Sequence, residues 1–346
     1  MMNKGTEFPQ KERIDEEKKV NNQDVLNLDK NHLSPSTEED VDDHFLLHTP
    51  YVYHYTSFET LFALLESSKK YEAYGKCLHF RASNIYKMND PLEMEAGFEA
   101  VKHLLPKYET EHNIERNLKI SEVYDGKAHE NACKEDYMKG RGKHSIDSGH
   151  IPFSISFSAK GDYLPMWTLY GQRGKGVCLK FDTIKLFDYV LSLREDYAFD
   201  EVVYSPEKRT KSILTLIDFS YKLYANDKKD KQKPTIEDKI NELADLCLVV
   251  APFYKYQDYE YEQEVRLAYT KHYPAKFDHN NPLKGLEQYE IKPFVEIPIP
   301  INCMEKIIIG PDANYEVMKH ILELELENCG INPNIIKPSK ISYRSK

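Results

Sequence analysis

Short runs of alternating apolar and polar residues recur along this chain, with helical stripes between them and no regular strand–helix–strand period. This pattern constrains the fold more than any other feature. A strand points successive side chains to opposite faces, whereas a helix returns to one face about every 3.6 residues. The segments YVYHYT (51–56), CLHFRAS (77–83), IPFSISFS (151–158), VCLKFD (177–182) and DEVVYS (200–205) read as strands. So do YEQEVRLAY (261–269), PFVEIPI (293–299), EKIIIGP (305–311) and a closing ISYR (341–344). Phe58, Leu61, Phe62 and Leu65 recur at helical spacing, and so do Tyr163, Met166, Trp167 and Tyr170. Two further helices are predicted between 206 and 255, and one over 314–328. Strands and helices in irregular order predict an α+β fold: a mixed, largely antiparallel central sheet with flanking helices.

Local signals fix several boundaries. Thr56 with Glu59 reads as a capping box. Asp90 followed by Pro91 reads as a helix start, and Pro106 as that helix's stop. Asp162 reads as the cap of the next helix. Residues 1–44 are polar and acidic without apolar periodicity, so a disordered tail is expected there. One α+β domain is expected over 45–346, with the charged stretch 107–148 as a surface insertion.

Composition narrows the function classes. The net charge of −10 disfavours a protein that coats duplex DNA through a broad basic face. Lys87, Lys160, Arg173, Lys175 and Lys255 could still guide a nucleic acid locally. The six cysteines are scattered without C-x-x-C spacing, which points to reduced thiols in a cytoplasm and away from a zinc site. The N-terminus has no apolar signal-peptide core, and no stretch is long and apolar enough for a membrane span.

The segment YEQEVRLAY holds the densest chemistry. As a strand it places Glu262, Glu264 and Arg266 on one face. Such a row is either a surface ion ladder or a carboxylate in a cleft whose charge state is fixed by its neighbours. No G-x-S-x-G, P-loop or H-E-x-x-H motif is present.

In order, the chain shows HYTS, NDP-x-E, PFSISFS, MW-x-x-Y, GVCL, E-x-E-x-R and IIIGP. This series resembles the domain-of-unknown-function 2971 family of bacterial proteins, over roughly residues 51–344. A more distant resemblance is to the DNA-targeting ADP-ribosyltransferase toxins of toxin–antitoxin pairs. His54, Tyr55 and Thr56 match their first strand. Pro152 and Phe153, with Pro165, Met166 and Tyr170, match a middle segment, and 263–267 match a late strand.

That second resemblance implies an enzyme that takes NAD as substrate and cleaves its nicotinamide–ribose bond. The acceptor would be a nucleic acid or a protein, in bacterial defence or toxicity, with an antitoxin or defence partner and no membrane. It implies Glu264 as the catalytic anion and His54 as a ribose-holding group. The middle-strand residue would be Ser154, Ser156 or Ser158, or its role would pass to Tyr163 or Tyr170. Tyr163 or Trp167 would sandwich the nicotinamide, and Arg81 or Arg266 would meet the pyrophosphate. Glu262 would help to set the charge and aim of Glu264. Two alternatives stand beside it: a non-catalytic binding or sensor module of the same fold, and a metal-dependent nuclease using Asp90, Glu262 and Glu264.

Overall fold

The computed structural model describes residues 49–70, 76–85, 88, 94–124, 148–193, 197–226, 235–274 and 294–345. The acidic segment 1–44, the Asp90 cap and Lys87 lie outside the described residues. The elements in chain order are β1 (Tyr51–Thr56), α1 (Phe58–Lys70), β2 (Cys77–Asn84), α2 (Glu95–Glu111) and β3 (Ser148–Ser158). Then come α3 (Leu164–Leu169), β4 (Val177–Asp182), α4 (Thr183–Ser192), β5 (Tyr197–Glu201), α5 (Pro206–Asn226) and α6 (Ile236–Val250). The last are β6 (Glu264–Pro274), β7 (Phe294–Pro300), β8 (Met304–Ile309), α7 (Tyr315–Asn328) and β9 (Ile336–Pro338). The fold is α+β, and its sheet is antiparallel apart from the parallel β8–β9 pair.

Strand β3 is the hub. One edge pairs with β6 along its whole length, from Ser148 opposite Pro274 to Ser158 opposite Glu264. The other edge is divided. It meets β1 at Tyr53 opposite Ser158, and β2 at Ser83 and Asn84 opposite Ser154 and Phe153. The sheet therefore forks at Ser156. One limb runs β1-β4-β8-β9 and the other runs β2-β7. At the fork the Ser156 carbonyl accepts a hydrogen bond from His54 Nδ1 at 3.0 Å. A carbonyl can only accept, so the proton of the neutral imidazole is assigned to Nδ1.

Strand alternation sets the two faces. Phe153, Ile155 and Phe157 of β3 lie with Leu267 and Val265 of β6 in the main core. Leu78 and Phe80 of β2, Leu179 and Phe181 of β4, and Ile307 of β8 join them, under Leu61 and Leu65 of α1 and Leu322 and Leu326 of α7. Each fully buried side chain of this kind contributes about 1.5–3 kcal/mol. On the opposite face Met166 and Trp167 of α3 pack on Tyr55 and Cys178, and Phe253 packs on Ala198 and Ala268. A second core joins α2, α5 and α6 around Phe98, Ile217 and Leu243.

Four local readings are corrected. The cap of α1 is Ser57, not Thr56: Ser57 Oγ accepts from Thr60 N at 3.1 Å, because Ser57 is the last residue before the helix. Helix α2 does not stop at Pro106 but runs on to Glu111. Leu105, Tyr108 and Glu109 are buried around that proline, and Glu109 accepts from the backbone N–H groups of Ile120 and Ser121 at 2.8 and 2.9 Å. This packing outweighs a proline penalty of about 3 kcal/mol. The closing strand is β9, not ISYR, whose residues have no ladder. Strand β5 starts and ends earlier than DEVVYS.

Replacing His54 with Leu removes the donor to Ser156 and is expected to cost about 1–3 kcal/mol by urea unfolding. Burial lowers the His54 pKa in the folded chain, against the weaker raising effect of its backbone bond. The unfolded chain therefore binds the proton first. The contribution of neutral His54 to stability is full above about pH 6.5 and falls as the pH drops toward the folded value. His54→Leu is expected to lose that part of the pH dependence, measured as the difference between the two proteins' unfolding midpoints across this range.

Candidate functional site

The face of β6 opposite the main core carries Glu264 and Arg266, and β3 sets Ser158 and Ser156 beside them. Just before β6 the chain makes a 3-10 turn (Gln257–Glu262), then passes through Gln263 in the left-handed region at φ +40°. Such a conformation is strained for a residue with a Cβ. Gln263 is tied to the end of β3: Ala159 N, just past the strand, donates to its carbonyl at 2.7 Å, while Ser158 Oγ donates to the Glu262 carbonyl at 2.6 Å. The tie turns the Glu262 side chain inward, so two carboxylates enter one buried space.

Two cations meet them. Arg266 grips Glu264 through two parallel bonds, Nε to Oε1 at 2.7 Å and a terminal nitrogen to Oε2 at 2.8 Å. This fork is the strongest form of carboxylate recognition. Lys255 Nζ lies between the acids, 2.6 Å from Glu262 Oε2 and 3.2 Å from Glu264 Oε2. Tyr170 donates its hydroxyl to Glu262 Oε1 at 2.6 Å. Tyr204 Oη accepts from Glu264 N at 2.9 Å, and Arg266 also donates to the Pro252 carbonyl. Glu262, Glu264, Lys255 and Arg266 are each 5% exposed or less.

Burial alone would raise the pKa of Glu264, but the charges and hydrogen bonds of Arg266, with Lys255, more than offset it and hold the carboxyl at about 2. Ser156 adds a smaller push in the same direction, although its hydroxyl makes no hydrogen bond of ordinary length. Burial and then Glu262 push the Tyr170 phenol upward, so it stays a donor at neutral pH.

The predicted site residues divide. Ser156, Tyr170, Glu262, Glu264 and Arg266 come together. Tyr55 lies on the same face, under Trp167, with ring centroids 5.0 Å apart. Its hydroxyl donates to the Lys160 carbonyl at 2.9 Å and accepts from Tyr163 N at 3.0 Å, so Tyr55 and Tyr163 hold the loop before α3. Trp167 is fully buried.

His54, expected as the ribose-holding group that works with Glu264, does not join the acids, and that expectation is corrected. It lies on the main-core face, its ring edge-on to Phe80 and Phe157 at 5.2 and 5.8 Å, with Nδ1 committed to backbone. Thr56 follows on the same face of β1 and is buried. Arg81 is exposed and stacks 4.5 Å from the Phe294 ring centroid, so it does not reach the acids. Glu262 precedes the strand rather than lying on it. Arg266 spends its donors on Glu264 and Pro252.

Asp162 does not cap α3. Its carboxylate accepts from Trp167 Nε1 at 2.9 Å and from Lys340 N at 2.6 Å. Lys255, read above as a basic residue that could guide a nucleic acid, is the buried bridge of the cluster. Its placement depends on the turn before β6, which has no periodic signature, and Tyr204 has no sequence signal either. Among the described residues, no group of three or more His, Cys, Asp or Glu side chains is placed to hold a metal ion. Glu262 and Glu264 are already matched by Lys255 and Arg266, and Asp90 lies outside the described residues. No described helix is long and apolar enough to cross a membrane.

The fold and this cluster define an α+β protein with a buried, charge-balanced centre on one face of a forked sheet. Residues 166–267 match the model of a family described as "Protein of unknown function (DUF2971)", which bears out the family resemblance over that stretch. The matched stretch contains Trp167, Tyr170, Lys255 and the E-x-E-x-R segment. No curated protein and no solved structure matches the chain.

Glu264→Gln is expected to cost about 3–5 kcal/mol, because it leaves the Arg266 charge buried against a neutral amide. The folded pKa of Glu264 is depressed, so its contribution is present above the ordinary value of 4.5 and is lost as the pH falls toward about 2. The stability gap between wild type and variant, measured by urea unfolding, is expected to be constant near neutrality and to close over that acid range.

Proposed function

We propose that this chain is an ADP-ribosyltransferase-like enzyme that cleaves NAD at the nicotinamide–ribose bond beside the fork of the sheet. The reading joins the distant resemblance to one observation: Glu264 is a rigidly held, ionised carboxylate one strand from the fork at Ser156. Departure of nicotinamide leaves positive charge on the ribose, and a preorganised carboxylate stabilises that charge as it develops. Nicotinamide leaves as a neutral molecule, so no general acid is required of the site.

In this reading Lys255 releases Glu264 at its longer, 3.2 Å contact and keeps Glu262 at 2.6 Å, freeing Oε2 on one side for the ribose. Arg266 continues to fix the direction of the carboxylate. The Ser156 hydroxyl, buried beside Glu264 without a hydrogen bond of ordinary length, turns to the sugar once the site opens. His54 shapes the fork and does not touch NAD. The nucleic-acid or protein acceptor, the role in defence or toxicity and the antitoxin or defence partner come from the resemblance alone.

A second reading, a binding or sensor module without chemistry, is favoured by one observation. Every carboxylate oxygen of Glu262 and Glu264 already has an internal donor.

Incubation with NAD labelled in its adenosine part, alone and with cell lysate, separates the two. The enzyme reading predicts nicotinamide release by wild type and label transferred to a macromolecule or left as free ADP-ribose. It predicts a drop of about 10²–10³-fold in Glu264→Gln. Ser156→Ala, which removes no hydrogen bond of ordinary length, is expected to fold normally and to raise KM for NAD. An NAD-induced rise in melting temperature without nicotinamide release would favour the module. Folded wild type that neither binds nor cleaves NAD would remove both NAD readings.

A further inference from the structure

The segment that follows β9 packs through Ile341 on the α3 side of the sheet. Ser339 N still donates to Ile309 O at 2.9 Å, but no ladder continues beyond it. Asp162 then receives the segment. Its Oδ1 accepts from Ser339 Oγ at 2.5 Å, and its Oδ2 accepts from Lys340 N. Ser339 Oγ in turn accepts from Ile341 N at 3.1 Å. Ile341 packs against the cluster of Tyr55, Met166, Trp167 and Cys178. Tyr343 lies over Gly174, where an added Cβ would come within 3.0 Å of its ring, and Ser345 donates to Asp312.

Asp162 is held in the left-handed region at φ +49°, a conformation that needs support from its surroundings. The same Oδ1 that receives Ser339 also receives Trp167 Nε1. Trp167 sits on α3, and the residue that caps the C-terminus of α3 is Tyr170, whose hydroxyl holds Glu262. A continuous line of contacts therefore runs from the C-terminal segment to the acidic centre. The segment itself has few buried apolar contacts and no strand pairing, which is the profile of an element that opens without global unfolding.

We propose that residues Ser339–Ser345 form a detachable strap, and that its seating on Asp162 holds α3 in place and so presses Tyr170 against Glu262. Seated, the strap covers Trp167 and keeps the acids spaced by Tyr170 and Lys255. Released, it uncovers an apolar surface around Trp167 and loosens the acidic centre from that side. The device stands independently of the NAD reading, because it is read from the protein's own spectroscopy.

Trp167 is the only tryptophan in the chain, so its emission reports the strap directly. A protein ending at Pro338 is expected to show red-shifted Trp167 emission and several-fold greater acrylamide quenching. Amide exchange is expected to quicken across 163–171 and to spread to 255–264. Adding a synthetic peptide of residues 337–346 is expected to reverse both changes. Ser339→Ala in the full chain removes one hydroxyl and is expected to move both signals the same way by a smaller amount, which keeps the test valid if the truncated chain misfolds. Unchanged Trp167 emission in both proteins, or faster exchange confined to the strap and α3, would overturn the proposal. Absence of NAD turnover in the wild type would sink the proposed activity and leave these results to decide the strap.

Discussion

The hydrogen bond between His54 and the Ser156 carbonyl marks the constraint on which the rest depends: one strand must serve three partners. β3 gives one whole edge to β6 and splits the other between β1 and β2. At the split a backbone acceptor has no strand opposite it, and a buried acceptor without a donor is costly. An imidazole supplies the missing N–H from the side. The same alternation that sends His54 into the main core sends Ser156 to the other face, beside Glu264 and Arg266. The fork and the acidic centre are thus two consequences of one strand register.

The acidic centre is costly to build. Four buried ionisable groups lose their hydration, and their mutual attraction repays this only with good geometry. Here the geometry is bidentate at Arg266, shared at Lys255 and completed by Tyr170 and Tyr204. An apolar cluster of equal volume would stabilise the sheet at least as well. The four charges, beside a strained Gln263, are therefore not accounted for by stability alone.

Much of the architecture was legible because periodicity reports burial. Strands such as IPFSISFS and VCLKFD have one face in a core, and the alternation of their residues says so. The E-x-E-x-R segment was legible as a charged row for the same reason. The errors fell where tertiary contacts override local chemistry. Pro106 sits inside a helix because Glu109 is pinned by Ile120 and Ser121, far from any signal near the proline. Asp162 resembles a cap in sequence and is a latch in space, because Ser339 and Lys340 arrive 177 and 178 residues later. His54 was expected with the acids because a strand's face can be read from sequence, while the face that a neighbouring strand turns the same way cannot. Lys255 was invisible as a site residue because nothing periodic distinguishes a buried lysine from a solvated one.

The pairing of two acids with two bases has a further effect at long range. Their charges cancel over a few ångströms, and the molecule as a whole is strongly anionic. At long range the net charge opposes an approaching anion, whereas an attractive field would accelerate encounter and make it sensitive to ionic strength. In the proposed reading, NAD is captured at this centre by shape and by bonds formed at contact, so raising the salt concentration would relieve repulsion rather than screen away a guiding pull.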